Sequence, residues 1–120
     1  MTVKNYRDLI VWHKAMELVE EVYRETRCLP NEEMYGLRMQ LRKAAVSVPS
    51  NISEGQGRRS KGEFLHYLSI AHGSVREAET QILISDRLGY LTKEAVFHLM
   101  EKASEVGRLI TGLSKSVAMQ

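Results

Sequence analysis

The apolar residues Met34, Leu37, Leu41, Ala45, Val48 and Ile52 follow one another at steps of three and four, and the series keeps its phase across Pro49. An apolar residue at every third or fourth position marks one face of an α-helix. Proline inside a helix removes a hydrogen bond and crowds the preceding turn, at a cost of about 3 kcal/mol. A loop at that point would have no reason to preserve the period. The spacing therefore predicts one helix, kinked at Pro49, rather than two helices. Gly55 and Gly57 are expected to close it, because glycine accepts the left-handed conformation of a C-terminal cap.

Three more helices follow from the same kind of spacing. The first is expected over roughly Asp8 to Cys28, capped by Asp8 and ended by Pro30-Asn31. Its apolar residues form two adjoining stripes, Val11, Ala15, Leu18, Val22 and Trp12, Met16, Val19, Tyr23. At about 100° per residue these cover nearly half the circumference, more than a single helix contact needs. Ser60-Lys-Gly-Glu63 has the spacing of a capping box and starts the third helix, whose seam is Phe64, Leu68, Ala71, Val75, Ala78 and Ile82. Gly89 ends it and Thr92 caps the fourth, with a seam at Leu99, Ala103, Val106, Ile110, Leu113 and Val117. Four such seams with short connections describe an all-α fold, an antiparallel up-and-down four-helix bundle. The first few residues and the tail after Val117 are expected to fray.

With 120 residues the chain is long enough for one domain and one core, so residues 1–120 are read as a single four-helix-bundle domain. Hydrophobic residues at 43% and charged residues at 27% describe a globular chain rather than a disordered one. No apolar run is long enough to cross a bilayer, so no membrane role is expected, and the N-terminal residues lack the apolar stretch of a signal peptide. The single Cys28 cannot form an internal disulfide. These facts suit a cytoplasmic protein.

Net charge is only +2, but its distribution is uneven. Arg38, Arg42, Lys43, Arg58, Arg59 and Lys61 face a single acid, Glu54, in the same stretch. Glu17, Glu20, Glu21 and Glu25 are accompanied only by Arg24. A basic side and an acidic side follow, and the six basic residues are the candidates for contact with nucleic-acid phosphates. Arg38 and Arg42 share a flank of the second helix, whereas Lys43 lies on another side. No helix-turn-helix signature, zinc finger or ribonucleoprotein aromatic motif points to reading of bases. Met39, Val46, Ile84 and Phe97 fall away from their helices' seams; they are either scattered surface hydrophobics or oligomer contacts.

Catalysis finds little support. His13, His66, His72 and His98 form no close pair at metal-ligand spacing. Glu63-Phe-Leu-His66 has the Glu-x-x-His form of a di-iron bundle ligand, but it occurs once and lies off the seam. Gly57 to Gly62 has the glycine spacing of a phosphate-binding loop without the lysine that must follow. Ser47, Ser50, Ser53 and Ser60 read as helix-surface or capping residues. Asn51 and Glu54 are expected to hydrogen-bond beside Pro49, or Glu54 to pair with a nearby arginine. No cofactor, metal or catalytic residue is assigned, and the chain does not look like an enzyme.

The run Val46-Ser-Val-Pro-Ser-Asn-Ile-Ser-Glu-Gly-Gln-Gly-Arg-Arg-Ser-Lys61, with Leu41-Arg-Lys-Ala-Ala45 before it and Gly62-Glu-Phe-Leu65 after it, resembles a known family. So do Asp8-Leu-Ile-Val-Trp12, Ile70-Ala-His-Gly-Ser-Val75 and Leu88-Gly-Tyr-Leu91. The family is that of the small bacterial four-helix-bundle proteins encoded in intervening sequences of 23S ribosomal RNA genes. The accessory proteins of diversity-generating retroelements look like relatives. The resemblance implies a homopentamer. On the retroelement branch it implies partners in nucleic acid and a reverse transcriptase; the ribosomal-RNA branch brings no assigned activity. Two readings stand: a non-enzymatic oligomer that binds structured RNA or DNA through phosphates, and a protein–protein assembly scaffold or accessory subunit without direct nucleic-acid binding.

Overall fold

The computed structural model describes residues 5–120 and contains four α-helices: α1 (Ile10–Glu25), α2 (Leu37–Gln56), α3 (Lys61–Arg87) and α4 (Lys93–Ala118). Short 3₁₀ turns at Tyr6–Asp8, Thr26–Cys28 and Asn31–Glu33 flank α1 and lead into α2. No strand occurs among the described residues. The packed helix pairs are α1/α2, α2/α3, α3/α4 and α1/α4, so the helices sit at the corners of a square. Residue numbers rise on one helix as they fall on its neighbour. Gln40 meets Gln81 and Ser47 meets Ser74 between α2 and α3, while Asp86 meets Lys93 and Lys61 meets Ala118 between α3 and α4. From α2 to α4, successive helices thus run in opposite directions.

The seams form the core. Val11, Ala15, Leu18 and Val22 of α1 are buried against Leu41, Ala45, Val48 and Ile52 of α2, and the heptads of α3 and α4 close the other side. Each fully buried Leu, Ile or Val contributes about 1.5–3 kcal/mol relative to an exposed one. α2 is continuous through Pro49, which is itself buried, and the apolar phase is kept on both sides. The expected fraying of the first few residues falls on positions outside those described; at the other end α4 continues to Ala118.

Several helix ends differ from expectation. Asp8 does not cap α1: it belongs to the 3₁₀ turn capped by the Asn5 side chain, and Leu9 takes the N-cap position with no side-chain hydrogen bond. The expected extension of the first helix to Cys28 is a tightened 3₁₀ turn, held where Thr26 Oγ1 donates to the Val22 carbonyl at 2.7 Å. Met34 lies before α2 and is exposed, because Gly36 with φ −107° and ψ −116° breaks the helix there. Gly57 is the C-cap of α2 with φ −79°, not left-handed. Gly55 has a different reason to be glycine: a Cβ there would lie 2.6 Å from Tyr67 Cβ, so its absence lets α3 approach. The remaining signals hold. Ser60 Oγ accepts from Glu63 N–H and Thr92 Oγ1 from Ala95 N–H, both at 3.1 Å, and Gly89 ends α3 with φ +77°.

Candidate interaction surfaces

The two stripes of α1 part company in the fold. The first is buried in the core. The second, Trp12, Met16, Val19 and Tyr23, turns toward the outer side of α2, where Met16 and Tyr23 remain substantially exposed. There it meets Met39 and Val46, which project from α2 away from its seam. Tyr23, Met34, Met39 and Val46 line a groove of about 680 Å³. A second groove of about 340 Å³ shares Val46 and continues past Pro49 along Trp12, Met16 and Val19. The α1/α2 face is therefore one largely apolar trough. Ile84 and Phe97 do not line it; they lie exposed on α3 and α4.

The six basic residues separate into two clusters. Arg38, Arg42 and Lys43 line the larger groove. Arg42 Nε donates to Thr26 Oγ1 at 2.9 Å and Nη2 to the Tyr23 carbonyl at 3.2 Å, with the guanidinium over the Tyr23 ring. Arg38 Nη2 donates to the Leu29 carbonyl, and its Nε is buried without a partner. The last carbonyls of a helix lack intrahelical donors, so Arg42 completes the end of α1, while Arg38 holds the chain where it leaves the following 3₁₀ turn. Lys43 is exposed. Arg58, Arg59 and Lys61 lie at the other end of α2. Arg58 pairs with Glu54 at 3.3 Å, donates to Tyr67 Oη at 2.7 Å and stacks on that ring. Lys61 Nζ donates to the carbonyl of Gln120 at 2.7 Å and that of Ala118 at 3.4 Å, at the end of α4. Arg59 is exposed and bonds to no other described residue.

Asn51 lies beside Pro49 as expected: its Nδ2 donates to the Ser47 carbonyl and Oγ, both at 2.8 Å, and Ser47 Oγ in turn meets Ser74 Oγ across the α2/α3 contact. Glu63 is engaged by Ser60 at the start of α3, with His66 exposed beyond it. Among the described residues no group of three or more His, Cys, Asp or Glu is placed to hold a metal, and no helix is long and apolar enough to cross a membrane. On the acidic side Lys102 Nζ donates to Glu17 Oε1 at 2.8 Å. That bond holds the Glu17 carboxyl below its ordinary pKa and the Lys102 ammonium above its own.

Sequence spacing overlooked Glu33. Its Oε1 accepts the Leu37 N–H at 3.1 Å and starts α2, while Oε2 accepts the Tyr90 hydroxyl at 3.0 Å and ties the α3–α4 connection to the same place. The bond to Glu33 also raises the Tyr90 pKa. A carboxylate four residues before the first helical N–H is the local part of that signal; Tyr90 is distant in sequence and could not be paired with it.

Fold and surface together define an all-α helical protein with an apolar trough on one face and basic residues at both ends of one helix. The chain belongs to the family described as 23S rRNA-intervening sequence protein, which matches residues 7–112. The crystal structure of a protein of unknown function from the S23 ribosomal protein family of Bacteroides thetaiotaomicron VPI-5482 has a similar fold, with a TM-score of 0.82 at 23% identity. The match covers 88% of this chain and 96% of that one. A search of curated proteins gives no significant match.

Proposed function

We propose that this chain is a non-enzymatic, homo-oligomeric helical protein that offers exposed basic residues to the phosphates of structured RNA or DNA. The trough on the α1/α2 face carries the oligomeric part, because monomers seldom leave a long contiguous apolar surface to water. Five copies is the number implied by the family resemblance. In such an assembly Arg58 and Arg59 recur in every subunit, and modest charge per chain becomes substantial affinity through multivalency.

The alternative is a protein–protein assembly scaffold or accessory subunit, with a reverse transcriptase as partner if the gene accompanies a retroelement. One observation favours it: Arg38, Arg42 and Lys61 already bond to carbonyls of their own fold. A salt titration of binding to duplex and structured RNA, read alongside native mass, separates the two. Binding that weakens steeply with salt supports phosphate contact. An intact oligomer that fails to bind at low salt leaves the scaffold reading.

A further inference from the structure

Two exposed apolar patches lie on opposite faces of the bundle. One is the α1/α2 trough. The other flanks the α3/α4 cleft, where Phe97 is 59% exposed and Leu83 44%. Phe97 stands seven residues before Ser104, and Leu83 seven after Arg76; Ser104 and Arg76 both line that cleft. Seven residues are close to two helical turns, so Phe97 and Leu83 look out on the same side. The Asp86–Lys93 bond fixes the level of α3 against α4 and brings the two residues to similar height.

The patches are opposite in charge, and one is concave. Phe97 projects between Glu94 and Glu101, one turn before and one turn after it on α4, and the nearby Lys93 is paired with Asp86. The trough is concave and is bordered by Arg38, Arg42 and Lys43. Two troughs set face to face would bring like charges together, as would two Phe97 patches, and such juxtaposition opposes association. Trough against Phe97 places acid on base and an aromatic side chain in an apolar hollow.

We propose that Phe97 and Leu83 of one copy seat in the α1/α2 groove of a second copy, with Glu94 and Glu101 facing Arg38, Arg42 and Lys43. The contact is head to tail: each chain uses one face to receive a neighbour and the opposite face to enter the next. Such contacts propagate, closing into a ring when the rotation between copies allows it. This inference rests on the oligomeric reading and specifies which surfaces meet.

Its test uses the full chain and reads mass by sedimentation equilibrium. Phe97→Glu blocks the entering face and Val46→Glu the receiving face. Both positions are exposed, so helicity should match the parent by circular dichroism. Each variant alone should fall to the mass of one chain, 13.7 kDa. Mixed in equal amounts at high concentration, they should form a two-chain species, because the intact groove of the first still accepts the intact Phe97 of the second. Persistence of the parent mass in Phe97→Glu, or absence of the two-chain species up to the solubility limit, would overturn the proposal while leaving oligomerisation by another face in place. A parent protein of single-chain mass would overturn both. Should Val46→Glu fail to fold, a charge exchange replaces it. Lys43→Glu and Glu101→Lys should each raise the dissociation constant about tenfold, and the double variant should recover most of that loss; lack of recovery would also count against the contact.

Discussion

The two basic clusters of α2 differ in what surrounds them. About sixteen residues, or roughly 24 Å of helix, separate Arg42 from Arg58. At the first end, Arg42 reaches across to a carbonyl in the last turn of α1 and Arg38 to the Leu29 carbonyl just after the 3₁₀ turn that follows it. At the second, Lys61 bonds to carbonyls at the end of α4, Arg58 lies along the Tyr67 ring at the surface, and Arg59 extends into solvent. Residues of one charge within one sequence segment thus divide between completing the fold and facing outward. What decides is the neighbour: a helix terminus recruits Arg42 and Lys61, while Arg59, which meets no such terminus, is left in solvent.

The largest effect expected from this contrast is at Arg42. Arg42→Met keeps the length of the stem and removes the donors to Thr26 and to the Tyr23 carbonyl. Hydrogen bonds to charged groups are worth about 1.5–3 kcal/mol, so denaturant unfolding should show a loss of that order. A loss no larger than that of Lys43→Met would sink the claim that Arg42 completes α1. Next comes Gly55→Ala, near the other cluster. Alanine improves helix propensity by about 0.5–1 kcal/mol, but its methyl would overlap Tyr67, and overpacking costs typically about 1–3 kcal/mol. The net expectation is a loss of about 1 kcal/mol or more, together with weaker stacking of Arg58. Unchanged or higher stability would mean that α3 moves aside readily.

The helices themselves were legible because burial has the helical period. Ala15, Leu41, Leu68 and Leu99 sit at the centre of the core, where their seams place them. The long phase through Pro49 was also readable, since a buried face tolerates one missing N–H better than a change of register. The width of the apolar face on α1 correctly signalled more than one surface. Helix ends were less legible. Asp8 has the chemistry of a cap, but Asn5 organises the preceding turn instead, and Glu33 starts α2 from a position that reads as an ordinary loop acid. The pairing of Arg42 with Thr26 depends on which helices become neighbours, information that periodicity does not contain. Gly55 illustrates the same limit: its role lies in the distance to Tyr67, not in its own backbone angles.

The smallest stability effect is expected at the outward cluster, and it is there that stability and binding should separate. Substituting Arg58, Arg59 and Lys61 together by glutamine removes one surface ion pair, one ring stack and the Lys61 bonds to the end of α4. Exposed ion pairs contribute about 1 kcal/mol or less, and glutamine retains part of the stem packing, so the unfolding midpoint should shift only slightly. Subunit count should not change, because the proposed contact uses Phe97 and the α1/α2 groove. If these residues meet phosphates, affinity for structured RNA should fall and its salt dependence should flatten in proportion to the contacts removed. The matching measurement on Lys43→Gln sharpens the comparison, since that residue is the exposed member of the first cluster. Loss of the slope in the triple variant with retention in Lys43→Gln would assign phosphate contact to the loop end of α2; an unchanged slope in the triple variant would remove that end as a phosphate site.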